Sequence, residues 1–271
     1  MEKLSHIEVR LQSLGELGEL VGALRSMSAS RSREAQDAFA GTMAYCATVR
    51  RAIAEVALLG GTAWQNDRED TGSDRVLVVI TSEHGFVGLF NARLFDYAME
   101  LKKEDETLVI VGRRGQILAA ERGVADVIAF PMTARTSGIT ATARRIAARI
   151  TSFSAARIVF ARYERGVGFA PDIVDVLPLE ESIVEDAGDN RPVTHLPPTQ
   201  LIRQLATEYL FAEIARRLME TLASENGARL RAMDNASRNI EEKIARLRRD
   251  EHVARQEVTT TEMLDVVTGA E

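Results

Sequence analysis

The residue types that most often carry chemistry are few in this chain and poorly spaced for it. The four histidines, His6, His84, His195 and His252, lie on unrelated segments with no HExxH and no pair at ligand spacing, so no metal site is expected. Cys46 is the sole cysteine, which excludes an intrachain disulfide and any multi-thiolate site; it reads as a small buried thiol and fits a reducing compartment. There is no GxSxG, and no histidine lies near Cys46 in sequence, so nucleophilic catalysis has no support. The carboxylates sit among Arg and Lys on helical stretches, where i,i+4 pairing is their ordinary role. No catalytic residue, cofactor or metal is expected.

Three patterns remain, and all address anions. Gly85-Phe-Val-Gly88 follows a β-branched run and reads either as a tight strand-to-helix turn or as backbone amides turned toward a phosphate. Neither GxxxxGK[ST] nor GxGxxG accompanies it. Arg113-Arg114-Gly115 follows a second such run as a solvated turn or an anion contact. Lys243, Arg246, Arg248 and Arg249 form a basic patch on a helical stretch: a solvated face, or a contact with an acidic loop of a partner held by bidentate arginine pairing.

The elements that position these residues are set by proline. All six prolines fall between Pro131 and Pro198, so both ends of the chain are free to form long helices, which an interior proline would break at a cost of about 3 kcal/mol. Toward the C-terminus, Leu230, Met233, Ser237, Ile240, Ile244, Leu247, Glu251, Ala254 and Val258 alternate three and four apart, a heptad seam with weak points at Ser237 and Glu251. A helix from Pro198 to Val267 would be roughly 100 Å long. Toward the N-terminus, Leu4, Ile7, Leu11, Leu14, Val21 and Leu24 repeat the pattern, which continues through Ala35, Ala38, Val49 and Ile53 and ends near Gly60-Gly61. Gly15, Gly18 and Gly22 share one face there, each costing about 1 kcal/mol relative to alanine. Close backbone approach to a neighbouring helix, most simply the C-terminal one, would offset that cost.

Between the arms the period changes. The runs 75–81, 107–112 and 157–162 read as buried strands, with helices over 90–103 and 137–152 between them. That order indicates an α/β sheet with largely parallel pairing, to which 172–177 adds an antiparallel edge. The expected organisation is an N-terminal coiled-coil helix over 1–61, a linker over 62–74, a Rossmann-like α/β domain over 75–196 with a charged loop at 180–192, and a C-terminal coiled-coil helix over 197–271.

Composition narrows the function classes. With 271 residues, 34 basic and 40 acidic side chains and a net charge of −6, the chain is ill suited to coating nucleic acid or anionic membranes. Aromatics make up only 5%, so the core is built from Ala, Leu, Ile and Val, and the base-stacking platforms of a nucleic-acid binder are missing. No apolar run approaches the roughly 20 residues that span a bilayer, and MEKLSHIEVR has neither a signal peptide's apolar stretch nor an Arg/Ser-rich leader. A soluble chain is expected.

The ends nevertheless carry a recognisable pattern. Ser224-Glu225-Asn-Gly-Ala228-Arg229-Leu-Arg-Ala232-Met233, Asn239, Ala254-Arg255-Gln256-Glu-Val-Thr259 and Thr261-Glu262-Met-Leu-Asp-Val-Val267-Thr-Gly269-Ala270 resemble the closing helix of the γ subunit of F-type ATP synthases. Ile7, Arg10, Leu11, Ser13, Ala23, Leu24, Ala29, Ser30 and Arg31 match its first helix more loosely. Val78-Val-Ile-Thr81-Ser82-Glu-His-Gly85-Phe-Val-Gly88-Leu-Phe90-Asn91 looks like its first strand and turn.

The resemblance spans the chain and implies a non-enzymatic central-stalk rotor: terminal helices paired antiparallel as a coiled coil, with an α/β domain beside the ε subunit and the membrane c-ring. The coil would turn inside a hexamer of α and β subunits and couple ion flow to ATP synthesis or hydrolysis at the β sites. By motif position, Arg255 and Gln256 fall where the family's helix meets a β-subunit loop, with Arg10, Arg25 and Arg31 as further contacts. Such a subunit would lie peripherally on the cytoplasmic face of a bacterial plasma membrane, without inserting into it.

The chain departs from the family in three places, which marks it as a divergent member. Gly15-Glu16-Leu17-Gly18-Glu19-Leu20-Val21-Gly22 stands where basic and hydroxylated residues are usual, which reverses the charge; Glu83-His84 replaces the commoner Asp-Arg, and Val87 a frequent cysteine. The alternative, from strand order and the Gly85–Gly88 turn, is a free-standing α/β small-molecule-binding protein or hydrolase with a helical dimerisation arm.

Overall fold

A computed structural model describes residues 2–60, 74–164, 168–179 and 193–269. The elements run α1 (Glu2–Gly60), β1 (Arg75–Ile80), α2 (Phe90–Leu101), β2 (Glu106–Val111), α3 (Arg113–Glu121), β3 (Val127–Phe130), a 3₁₀ turn (Thr136–Gly138), α4 (Ile139–Ile150), β4 (Ala155–Glu164), β5 (Gly168–Leu177) and α5 (Pro198–Thr268). Most of the expected linker, 62–73, and the charged loop 180–192 lie outside the described residues.

The chain forms two compact units, one from the outer parts of the two long helices, residues 1–28 with 229–271, and one from residues 29–228. In the second unit a five-stranded sheet has the order β3-β2-β1-β4-β5. The neighbours β1–β2, β1–β4 and β2–β3 pair in parallel and β4–β5 antiparallel, as the sequence indicates. The period of two divides the sheet's side chains between two cores. Val76, Val78 and Ile80 join α4 and the inner parts of α1 and α5, through Ile146, Ile150, Ala35, Leu210, Leu218 and Leu222. Leu77 and Val79 join α2 and α3 through Phe90, Leu94, Phe95 and Ala119.

Two elements escape the sequence reading. The Arg113-Arg114-Gly115 stretch is the first turn of α3 rather than a solvated turn, and Val127–Phe130 is a fourth parallel-class strand at the edge. A four-residue strand has too few positions to show a period, and Gly115 near the start of a nine-residue helix weakens its signal.

Candidate functional site

In the unit formed by the chain's ends, the 3-4 spacing becomes a packed seam. Val21, Met233 and Ile240 are buried together, with Leu14, Leu24, Ala232, Ala236 and Ile244 packed around them. Ile7 and Ala254 are buried further along the two helices, while the residues between seam positions are mostly exposed. The pairing is antiparallel. Arg25 is ion-paired with Asp234, Gly18 faces Ile240, and Arg255 reaches Glu8, so α1 numbering falls as α5 numbering rises. The weak seam positions are accommodated by polar bonds: Ser237 Oγ donates to Glu241 Oε1 at 3.0 Å, and Glu251 Oε1 accepts from Arg255 Nη2 at 2.6 Å.

The glycine face does not do what its spacing suggests. A methyl group built on Gly18 would meet only Ile240 Cγ2, at an ordinary 3.7 Å, and on Gly15 or Gly22 it would meet nothing within 4 Å. Close backbone approach is therefore not the reason for these residues. Gly18 faces the Ile240 side chain rather than backbone, and Gly15 and Gly22 each sit one residue past a seam position, turned away from it.

The five arginine and glutamine candidates are not brought into one cluster. Arg255 and Gln256 follow buried Ala254 and are therefore exposed, Arg255 bridging Glu251 and, at 3.2 Å, Glu8 of the opposite helix. Exposed pairs of this kind are worth about 0–1 kcal/mol, which leaves the guanidinium available for a better partner. Arg10 is exposed two residues beyond Glu8, Arg25 is drawn to Asp234, and Arg31 is half-buried in the other unit. The basic patch Lys243, Arg246, Arg248 and Arg249 is exposed throughout, while among them Ile244 packs against the seam and Leu247 is half-buried.

The α/β unit answers the question raised by its glycine turn. The carboxylate of Glu83, in the turn after β1, accepts hydrogen bonds from Arg113 N at 3.2 Å and Met132 N at 2.8 Å. It thus occupies the start of α3, where an external anion would have to bind. Ser82 and Asn91 exchange two hydrogen bonds of 2.9 Å, and Ser82 Oγ donates to His84 O at 2.8 Å, which closes the turn on itself. Thr81 Oγ1 donates to Val111 O at 2.8 Å and accepts from Gly115 N at 3.1 Å, locking β1 to α3. Gly112 has a φ of 106°, and a Cβ there would lie 2.5 Å from Thr81 O. The turn is closed from within between Ser82 and Asn91, and Glu83 takes the place an external anion would need at the start of α3.

Cys46 is buried between α1 and α5 and donates to Glu213 Oε1 at 2.9 Å. Burial, reinforced by the Glu213 charge, pushes its thiol up to about 12, the opposite of a nucleophile's environment. Among the described residues no group of three His, Cys, Asp or Glu side chains converges, and no helix is long and apolar enough to cross a membrane. The described residues at the chain's ends offer a pair of long helices whose outer surface is charged.

Comparison with known proteins agrees. The ATP synthase family model matches residues 3–271. The ATP synthase gamma chain of a Ruegeria species is 30% identical over 293 residues, and that of Bdellovibrio bacteriovorus 27% over 294, each alignment covering 100% of this chain and 99% of the relative. Among solved structures, the rotor of the Euglena gracilis mitochondrial ATP synthase contains a chain that shares the fold at a TM-score of 0.70 and 16% identity, covering 94% of this chain and 98% of that one. A chain in the central stalk and c-ring of the Tetrahymena thermophila enzyme does so at 0.62 and 15%, covering 80% and 99%. The chain belongs to the ATP synthase γ-chain family, the non-catalytic rotor subunits of F-type ATP synthases.

Proposed function

We propose that the paired ends of this chain, drawn from 1–61 and 197–271, act as the axle inside a ring of α and β subunits, with 75–196 as the α/β body and 62–74 as its linker. The body would sit beside an ε subunit and a c-ring, peripheral on the cytoplasmic face of a bacterial plasma membrane. The observation that carries this reading is the antiparallel seam joining residues at opposite ends of the sequence, with Arg255 and Gln256 displayed beside it.

A shaft favours different conformations of three chemically identical sites only by touching each differently, because an equal contact shifts no equilibrium. Two non-identical helices supply that inequality. Arg255 and Gln256 form the principal contact with a β-subunit loop, Arg255 exchanging its weak surface pairs for hydrogen bonds to that loop; Arg10, Arg25 and Arg31 form secondary contacts. Purification of the complex with a tag on this chain, followed by removal of residues 255–271, tests the assignment. The α and β subunits are expected to co-purify and coupled ATP turnover to fall sharply on truncation. Full coupling after truncation refutes the contact.

A further inference from the structure

We propose that the outward face of α1 between Val9 and Met27 docks a partner segment that presents basic and apolar side chains. The inference rests on the rotor reading and specifies the chemistry of the surface that the axle meets.

Val9, Glu16, Leu20 and Met27 are spaced seven, four and seven apart, so they share one line along α1, opposite the seam positions Ile7, Leu14, Gly18 and Val21. That line is open to water. Val9 is 61% exposed, Leu20 57% and Met27 45%, and neighbouring Leu17 is 46% exposed. Over about 27 Å of helix, large apolar groups thus face outward on the side that the helix pair does not use. An exposed apolar line with a polar border is the signature of an interaction surface.

The border decides the partner's chemistry. Glu16 and Glu19 are exposed beside Leu17 and Leu20, while the segment's two arginines lie off the line, Arg25 being drawn toward Asp234. Lysine or arginine on the partner satisfies both features at once, its aliphatic stem lying over a leucine and its charged head reaching a glutamate. An acidic partner segment would be repelled by the same glutamates.

The test uses the whole synthase complex, purified through this chain and incorporated into vesicles, with ATP-driven ion pumping per ATP hydrolysed as the readout. Glu16→Lys with Glu19→Lys is expected to lower coupled pumping roughly tenfold at low salt, because like charges would then face each other. Glu16→Gln with Glu19→Gln should produce a smaller loss that high salt abolishes. Glu, Gln and Lys have similar helix propensities, so circular dichroism should show an intact helix in each variant. Unchanged pumping in the Gln pair, or improved pumping in the Lys pair, overturns the proposal, the latter by showing an acidic partner surface. If the Lys pair does not assemble, the Gln pair decides alone. Failure of the unmodified chain to purify with α and β subunits would instead remove the rotor reading itself.

Discussion

Glycine-to-alanine replacement should have opposite signs at two places in this chain. At Gly15 and Gly22 the new methyl group meets nothing within 4 Å, so the only change is the relief of glycine's entropic penalty in a helix. Each substitution should add about 0.8–1 kcal/mol of stability to the helical pair. Gly18→Ala, with one ordinary contact at 3.7 Å, should also stabilise or be neutral. At Gly115 the same methyl would lie 2.4 Å from Thr81 Oγ1 and 2.9 Å from Ile110 Cγ2. Moving Thr81 would loosen its bonds to Val111 O and Gly115 N, so overpacking of about 1–3 kcal/mol adds to about 1 kcal/mol of lost hydrogen bonding. Urea titration of the full chain followed by circular dichroism, with hydrogen exchange at amides 15–22 to localise the effect, measures all four variants. Destabilisation by Gly15→Ala or Gly22→Ala, or tolerance of Gly115→Ala, would refute the packing argument.

Other outcomes follow from single contacts. Arg157 holds Glu106 by two bonds of 2.7 Å beside the Leu101 carbonyl; burial alone would raise the Glu106 carboxyl, but the Arg157 hydrogen bonds, the Lys103 amide and nearby positive charge outweigh it and keep it below its ordinary value. The pair's stabilisation is therefore complete above the ordinary carboxylate range and is lost as pH falls through the lowered value; Arg157→Ala should cost about 3–5 kcal/mol near neutrality, measured by denaturation. The Cys46 thiol, raised to about 12, should resist iodoacetamide at pH 8 in the native chain and react once denaturant unfolds it. Ile240→Ala should cost about 2–4 kcal/mol by emptying the seam opposite Val21, seen as a lower urea midpoint, whereas Ala245→Ser on the exposed side should change it little.

The two arms were legible in sequence because a heptad repeats over many turns, and each repeat adds to the same signal. The seam from Leu230 to Val258 is buried or half-buried at every position read from it. The strands β1, β2 and β4 were legible as continuous β-branched runs, since strands covered on both faces need apolar residues at every position. Arg255 and Gln256 came from a motif, but nothing in the motif says that Arg255 spans to Glu8, a residue 247 positions away.

By itself, then, the sequence determined that long helices would form at both ends, that a largely parallel sheet would lie between them, and that histidine, cysteine and glycine patterns were wrong for catalysis. These are local properties: proline placement, periodicity and spacing act over a few turns of chain. Tertiary structure alone decided that Glu83 caps α3, that Val127–Phe130 becomes the edge strand, that Cys46 is silenced by Glu213, and that Gly15 and Gly22 face open space rather than a neighbouring backbone. Each depends on the distance between residues brought together by folding, and that distance is fixed by the bulk of side chains on the opposing element, which no local pattern contains.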